Sequence, residues 1–168
     1  MHGKNYRQWK GQFYNKRYAP GTPNPKVARF TTGKFRSDYD LKLNLVSEGT
    51  VQIRSNALES ARVAANKKLA LVGEDNYYLK VVTYPHLVLR ENKMIATAGA
   101  DRLQEGMRKA FGKPIGVAAR VGIGAVILEL SIKAENLQKG KEAMKAATTK
   151  LPMKTHAEIV QLEKKMES

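Results

Sequence analysis

The chain is predicted to be an α+β protein: a mainly antiparallel sheet with two helices packed on one face, an extended basic N-terminal arm and a long basic loop. Three observations predict it. Short strand-like runs and two helix-like runs follow the order β-β-α-β, insert, β-β-α-β, the pattern of helices gathered on one side of a sheet. Residues 1–26 hold no acidic residue and no apolar period. Residues 86–120 separate the two halves without sustained strand or helix periodicity, and a segment this long is uncommon in a compact domain unless it is functional or disordered. We therefore divide the chain into an arm, 1–26, and a single α+β domain, 27–168, with a functional insert at about 86–120.

In the arm, Lys4, Arg7, Lys10, Lys16, Arg17 and Lys26 alternate with Tyr6, Trp9, Phe13, Tyr14 and Tyr18. Cations between aromatic rings suit a partner that offers both phosphates and exposed bases. Pro20, Pro23 and Pro25 then force extended or turn geometry. The folded part begins near Val27 with a strand running to Gly33, where the glycine marks a turn or bulge. Leu41, Leu43 and Leu45 alternate as in a half-buried strand. Val51–Ile53 is a short edge strand or connector. Ser55–Val72 carries helical spacing through Leu58, Ala61, Ala65, Leu69 and Val72. Ser55 can cap it, and Asn56 as cap would place Glu59 at the third helical position and complete a capping box. Gly73 suits the residue just past the end. On this helix Arg62, Lys67 and Lys68 lie off the Leu58 stripe and are candidate phosphate contacts.

Tyr77–Tyr84 is rich in β-branched and aromatic residues and reads as a strand that Pro85 ends. After the insert, VAARVGIGAVILELSI offers one or two strands, with Gly122 and Gly124 at a turn and Val126–Ile132 buried. Glu135–Lys150 is a second amphipathic helix closed by Pro152, and Ala157–Leu162 a last short strand. Inside the insert, Asp101–Phe111 has the makings of a short helix, with Leu103, Met107 and Phe111 four residues apart. Gly106 weakens it by about 1 kcal/mol, so it needs a surface to pack on.

Charge decides the class of partner. The chain has 168 residues, 42% of them hydrophobic, and 30 Lys+Arg against 15 Asp+Glu, for a net charge of +15. Its pI is 10.0. A compact body so charged repels itself unless a polyanion neutralises it, and nucleic acid is the leading candidate. Basic groups on an irregular backbone suit folded RNA. The absence of cysteine excludes disulfides, thiolate metal sites and cysteine nucleophiles. No apolar run reaches the ~20 residues of a membrane span, and the N-terminus lacks the apolar core of a secretory signal. Membrane-surface binding ranks last, because the apolar faces are needed for the core.

Catalytic motifs are missing. GKPIGVAAR lacks the ending of a phosphate-binding P-loop, and GVAARVGIGA lacks the strand and acidic residue of a dinucleotide fingerprint. No HExxH or nucleophile elbow occurs. His2, His86 and His156 stand far apart in sequence. No catalytic residue, metal ligand or cofactor is expected. The candidate RNA-binding residues are Arg7, Lys10, Lys16, Arg17 and Lys26 in the arm, Arg62 and Lys67 on the first helix, and His86, Arg90, Lys93, Arg102, Arg108, Lys109, Lys113 and Arg120 in the insert.

Several long motifs occur in one order: GTPNPKV, VQIRSNALESARVAANKKL, YPHLVLRENKM and AGADRLQEGMRKAFGKPIGVAARV. Together they resemble the archaeal and eukaryotic large-subunit ribosomal protein L-ten-e, whose bacterial counterpart is ribosomal protein L-sixteen. The resemblance runs from about Tyr18 to Leu151, and the lack of an acidic C-terminal extension is of the archaeal kind. It implies an α/β-hammerhead type fold seated in large-subunit ribosomal RNA, beside the aminoacyl-tRNA position and near 5S ribosomal RNA, among neighbouring ribosomal proteins of the cytoplasmic ribosome. It also implies that the loop carrying AGADRLQEGMRKAFGKP reaches toward the tRNA acceptor arm, with Arg90, Lys93, Arg102, Arg108, Lys109 and Lys113 near RNA and His86 beside them. The family often has His where this chain has Ser55. Two alternatives stand beside this reading: a free-standing tRNA- or RNA-binding factor, and an RNA-modifying enzyme using His86 with Asp101 or Glu91.

Overall fold

The computed structural model describes residues 6–8, 21–92 and 112–162. Strand β1 is Thr31–Gly33, β2 Leu41–Ser47 and β3 Val51–Arg54, running straight into helix α1, Ser55–Leu69. Then come β4, Tyr77–Val81, β5, Leu87–Glu91, β6, Lys113–Val121, and β7, Val126–Ile132. Helix α2, Leu137–Thr148, and strand β8, Thr155–Gln161, complete the described elements.

The class is α+β with antiparallel pairing, as the alternation predicts, but the strands form two sheets rather than one. Five lie in the order β1-β4-β7-β2-β8 and three in the order β3-β6-β5. One two-stranded ribbon links them. β2 and β7 pair up to Val46 opposite Val126, and β3 and β6 resume the pairing at Val51 opposite Val121. Residues 47–50 and 122–125 form the corner between. There Gly124 N–H donates to the Ser47 carbonyl at 2.8 Å, and Ser47 N–H donates to the Ala125 carbonyl at 3.0 Å. Gly124 takes φ +79° at this bend, a backbone region that glycine enters freely.

Leu41, Leu43 and Leu45 of β2 meet Leu79, Leu128, Leu130 and Ile132 in one core. The stripe Leu58, Ala61, Ala65 and Leu69 of α1 and Ala143, Met144 and Ala147 of α2 cover it from the same side. Ile53, Ala119 and Val121 bring the smaller sheet onto its edge. Gly140 lets α2 approach β7: a Cβ built there would stand 2.5 Å from Ile132 Cδ1.

Several sequence expectations are corrected in detail. The strand expected over Val27–Gly33 is confined to β1, because Ala28 spends its N–H on Glu59 Oε2 of α1 instead of a neighbouring strand. The strand expected to reach Tyr84 ends at Val81, the last residue of β4 paired with β7, opposite Leu128. No side chain caps α1, and the capping box with Glu59 is not made, since that carboxylate turns to Arg62 and Ala28. The last turn of the expected helix, Ala70–Val72, is a 3-10 turn, and Gly73 follows it at φ +94°. The 86–120 segment is irregular only in part. Both ends are strand: β5 and β6 pair antiparallel out to Glu91 opposite Lys113. The short helix expected over 101–111 lies outside the described residues.

Candidate nucleic-acid interface

The two sheets differ in charge. In the five-stranded sheet the strands carry Lys42 and Lys80 against Glu129 and Glu158. In the three-stranded sheet they carry Arg54, Arg90, Lys113 and Arg120 against Glu91 alone. Cations near the larger sheet are also paired: Lys42 with Glu129 at 3.1 Å, Lys133 with Asp38 at 3.3 Å and Lys34 with Asp75 at 3.6 Å. The strands of the smaller sheet therefore carry an excess of positive charge, while those of the larger sheet balance.

The arm joins this same sheet. β3 is its edge strand, and Gln52 donates its backbone N–H to the Arg7 carbonyl at 3.0 Å. The Gln52 side-chain amide donates to the Gln8 carbonyl at 2.9 Å, and Tyr6 OH donates to the Arg90 carbonyl at 3.2 Å. Tyr6 bridges one edge of the sheet to β5, and burial pushes its hydroxyl pKa up. Arg7 and Gln8 are exposed. The β5–β6 ribbon sets Glu91 opposite Lys113, two residues that flank the basic 93–111 stretch in sequence.

Among the sequence-derived candidates, Lys26, Lys67, His86 and Lys113 are exposed, and Arg90 and Arg120 are half-buried. His86 Nδ1 is 3.1 Å from the Tyr84 carbonyl, which sets its ring at the entry to β5. Gln52 and Arg120 are opposite one another in register, as are Arg54 and Ala118, so Arg54 and Arg120 share a face of the small sheet. Lys10, Lys16, Arg17, Lys93, Arg102, Arg108 and Lys109 lie outside the described residues.

Arg62 is a correction. It is only 9% exposed, not on a solvated face. Its guanidinium makes a two-pronged bond to Glu59, Nη2 to Oε1 at 2.6 Å and Nε to Oε2 at 3.0 Å, and reaches Thr32 Oγ1 at 3.2 Å. The Arg62 hydrogen bond holds the Glu59 carboxyl below its ordinary value, and Glu59 in return raises Arg62. This cation ties α1 to β1 and to residue 28. Sequence reasoning missed Arg54, although its place one residue before an apolar helical run was visible.

No helix among the described residues is long and apolar enough to cross a membrane. Those residues also hold no group of three His, Cys, Asp or Glu side chains able to bind a metal ion.

Two antiparallel sheets, two helices on one side and a cationic smaller sheet define a basic α+β protein. Residues 4–158 match the family Ribosomal protein L16p/L10e. The chain is 53% identical over 150 residues to the large ribosomal subunit protein uL16 of Staphylothermus marinus, covering 88% of this chain and 86% of that one. It is 50% identical over 166 residues to uL16 of Sulfolobus acidocaldarius, covering 96% and 94%. The chain belongs to the ribosomal protein L16p/L10e family, in its archaeal form, and is a structural protein of the large ribosomal subunit.

Proposed function

We propose that this protein binds large-subunit ribosomal RNA beside the aminoacyl-tRNA site and supports tRNA accommodation, without catalysing a reaction. The observation that carries this reading is the cationic excess of the small sheet, Arg54, Arg90, Lys113 and Arg120 against Glu91, on the sheet that also meets Tyr6–Gln8 of the arm and flanks the basic 93–111 stretch at Glu91 and Lys113. The packed α+β body is a rigid base, and Arg7, Lys10, Lys16, Arg17, Lys26, Lys67, Arg90, Lys113 and Arg120 neutralise phosphates around it. Lys93, Arg102, Arg108 and Lys109 carry charge toward the tRNA acceptor arm, with His86 at the root of that segment. Neighbouring ribosomal proteins and 5S ribosomal RNA complete its surroundings. Arg62 is left out, because its charge is spent inside the fold.

The chain has no cysteine, so Gly106→Cys gives one attachment point for a hydroxyl-radical source. Cuts near the peptidyl-transferase region and the tRNA acceptor end support the proposal. Cuts confined to peripheral RNA remove the accommodation role. Release of the protein from large subunits by a high-salt wash would favour a free-standing RNA-binding factor.

A further inference from the structure

Strand β8 closes one side of the larger sheet and pairs with β2 alone. An edge strand turns alternate N–H and C=O groups away from its sheet, where they can pair with another chain. Folded proteins guard such edges with short strands, lysine, proline or a covering segment. The other edges of this fold are short or already met. β1 has three residues. β3 gives the Gln52 N–H to the Arg7 carbonyl, and the Arg90 carbonyl of β5 accepts from Tyr6 OH. β8 has seven residues, and positions 155–162 hold no lysine, arginine or proline in a chain with 30 Lys+Arg. Among the described residues no strand pairs with its outer side, and His156 to Leu162 are exposed throughout.

β8 also shows apolar side chains on both faces. Register sets Ala157 and Ile159 beside Leu45 and Leu43 on the core side, and Val160 beside Lys42 on the other. Ile159 is 44% exposed, Val160 43% and Leu162 38%, so the apolar layer of the sheet runs out uncovered at this edge. The charge here is negative. Glu158 and Glu48 both face the His156 imidazole, at 3.1 and 3.2 Å. Two carboxylates around one ring leave a net negative charge whether or not the ring is protonated.

We propose that β8 receives an extended segment of another protein of the large subunit, which adds to the five-stranded sheet as one further strand. The unpaired main-chain ladder calls for a peptide, since its repeat is that of a strand. The side chains set the chemistry of that peptide: apolar residues beside Ile159 on the core side, alternating with Lys or Arg beside Glu158. The same carboxylates repel an RNA phosphate. A second copy fits poorly, because a two-fold pair of β8 strands places both Glu158 carboxylates in one short ribbon, and two bodies of +15 repel each other. The protein thus meets RNA with its smaller sheet and a neighbouring protein with the edge of its larger one.

Hydrogen exchange at single amides of residues 155–161 tests this, in the free protein and in native large subunits. Every second amide, those turned away from β2, should exchange fast in the free protein. In the subunit these should slow at least roughly tenfold, about the worth of one main-chain hydrogen bond. The chain has no cysteine, so Val160→Cys carries a single photoactivatable benzophenone. In subunits holding this variant, light should join position 160 to another ribosomal protein, at a stretch of alternating apolar and basic residues. Glu158→Lys reverses the charge at an exposed position. It should leave the melting temperature of the free protein nearly unchanged and cut the protection of β8 in the subunit about tenfold. Amides that exchange equally fast in both states overturn the proposal, and so do crosslinks to ribosomal RNA alone or to a second copy of this chain. Full protection in Glu158→Lys overturns the basic character of the added strand. Each of these failures leaves the RNA-binding reading of the smaller sheet standing, because none of the probed residues belongs to it.

Discussion

At the scale of single residues, the useful distinction is between cations already spent and cations still available. Arg62 and Lys67 stand five residues apart on α1, yet Arg62 is locked to Glu59 and Lys67 is exposed. Charge and helical spacing mark both as surface residues. What separates them is Thr32, which accepts from Arg62, and residue 28, which donates to Glu59, both brought there only by the folded chain. Glu59→Gln should cost about 1–2 kcal/mol at neutral pH, the worth of a charge-assisted bond partly buried. Because the Glu59 pKa is lowered in the fold, its stabilisation is full above its ordinary value of 4.5 and is lost as pH falls through the lower folded value. The gap between wild type and variant in denaturant midpoints should therefore narrow in acid. A gap constant down to strongly acidic pH would refute the ion pair. His156 gives a second prediction. Glu158 at 3.1 Å and Glu48 at 3.2 Å raise its pKa above the ordinary 6.5. Its ring resonances should titrate above 6.5, and Glu158→Gln should bring the midpoint down. The pairing favours the fold below pH 6.5 and fades as pH rises through the folded value.

At the scale of elements, the packing of α2 on β7 sets a testable limit. Gly140 lies inside a helix, where Ala would be favoured by about 1 kcal/mol. Here the added methyl meets Ile132 Cδ1 at 2.5 Å, with Leu130 and Leu43 close behind. All three side chains are fully buried, so they have little room to yield. Gly140→Ala should therefore lower stability by about 1–3 kcal/mol, the usual cost of overpacking. A rise in melting temperature would show that Ile132 can turn away. The same level shows how much sequence could reveal. Both helices, β2, β7 and β8 were legible within a few residues, because each repeats its apolar positions at a local period. β5 and β6 were not. Their pairing joins residues far apart in the chain, Glu91 with Lys113, and β6 opens on Lys113, Pro114 and Gly116, which weaken any strand signal. The split into two sheets was also hidden. It depends on a corner at 47–50 and 122–125, where two distant turns meet through the Ser47 and Gly124 backbone. In the candidate interface, the cationic segment was legible from charge alone.

At the scale of the whole molecule, fold and charge are separable, and this can be tested directly. The packed core is formed by residues of both sheets and both helices, and the candidate cations Arg102, Arg108 and Lys109 belong to a stretch tethered to it through β5 and β6. Neutralising those three with glutamine should leave the melting temperature of the isolated protein nearly unchanged while impairing translation. RNA affinity should also lose salt dependence, by about 0.7–0.9 in log–log slope for each phosphate contact removed. Arg62→Gln should do the reverse: lower the melting temperature and leave the salt slope alone, because its charge faces Glu59 and not solvent. The pair of results distinguishes two accounts of the +15 net charge. If the triple variant unfolds easily, the insert is part of the core and its charge is incidental to RNA. If only the salt slope and translation respond, the body exists to hold cations where an RNA groove needs them. Its self-repulsion is then relieved by the polyanion it binds.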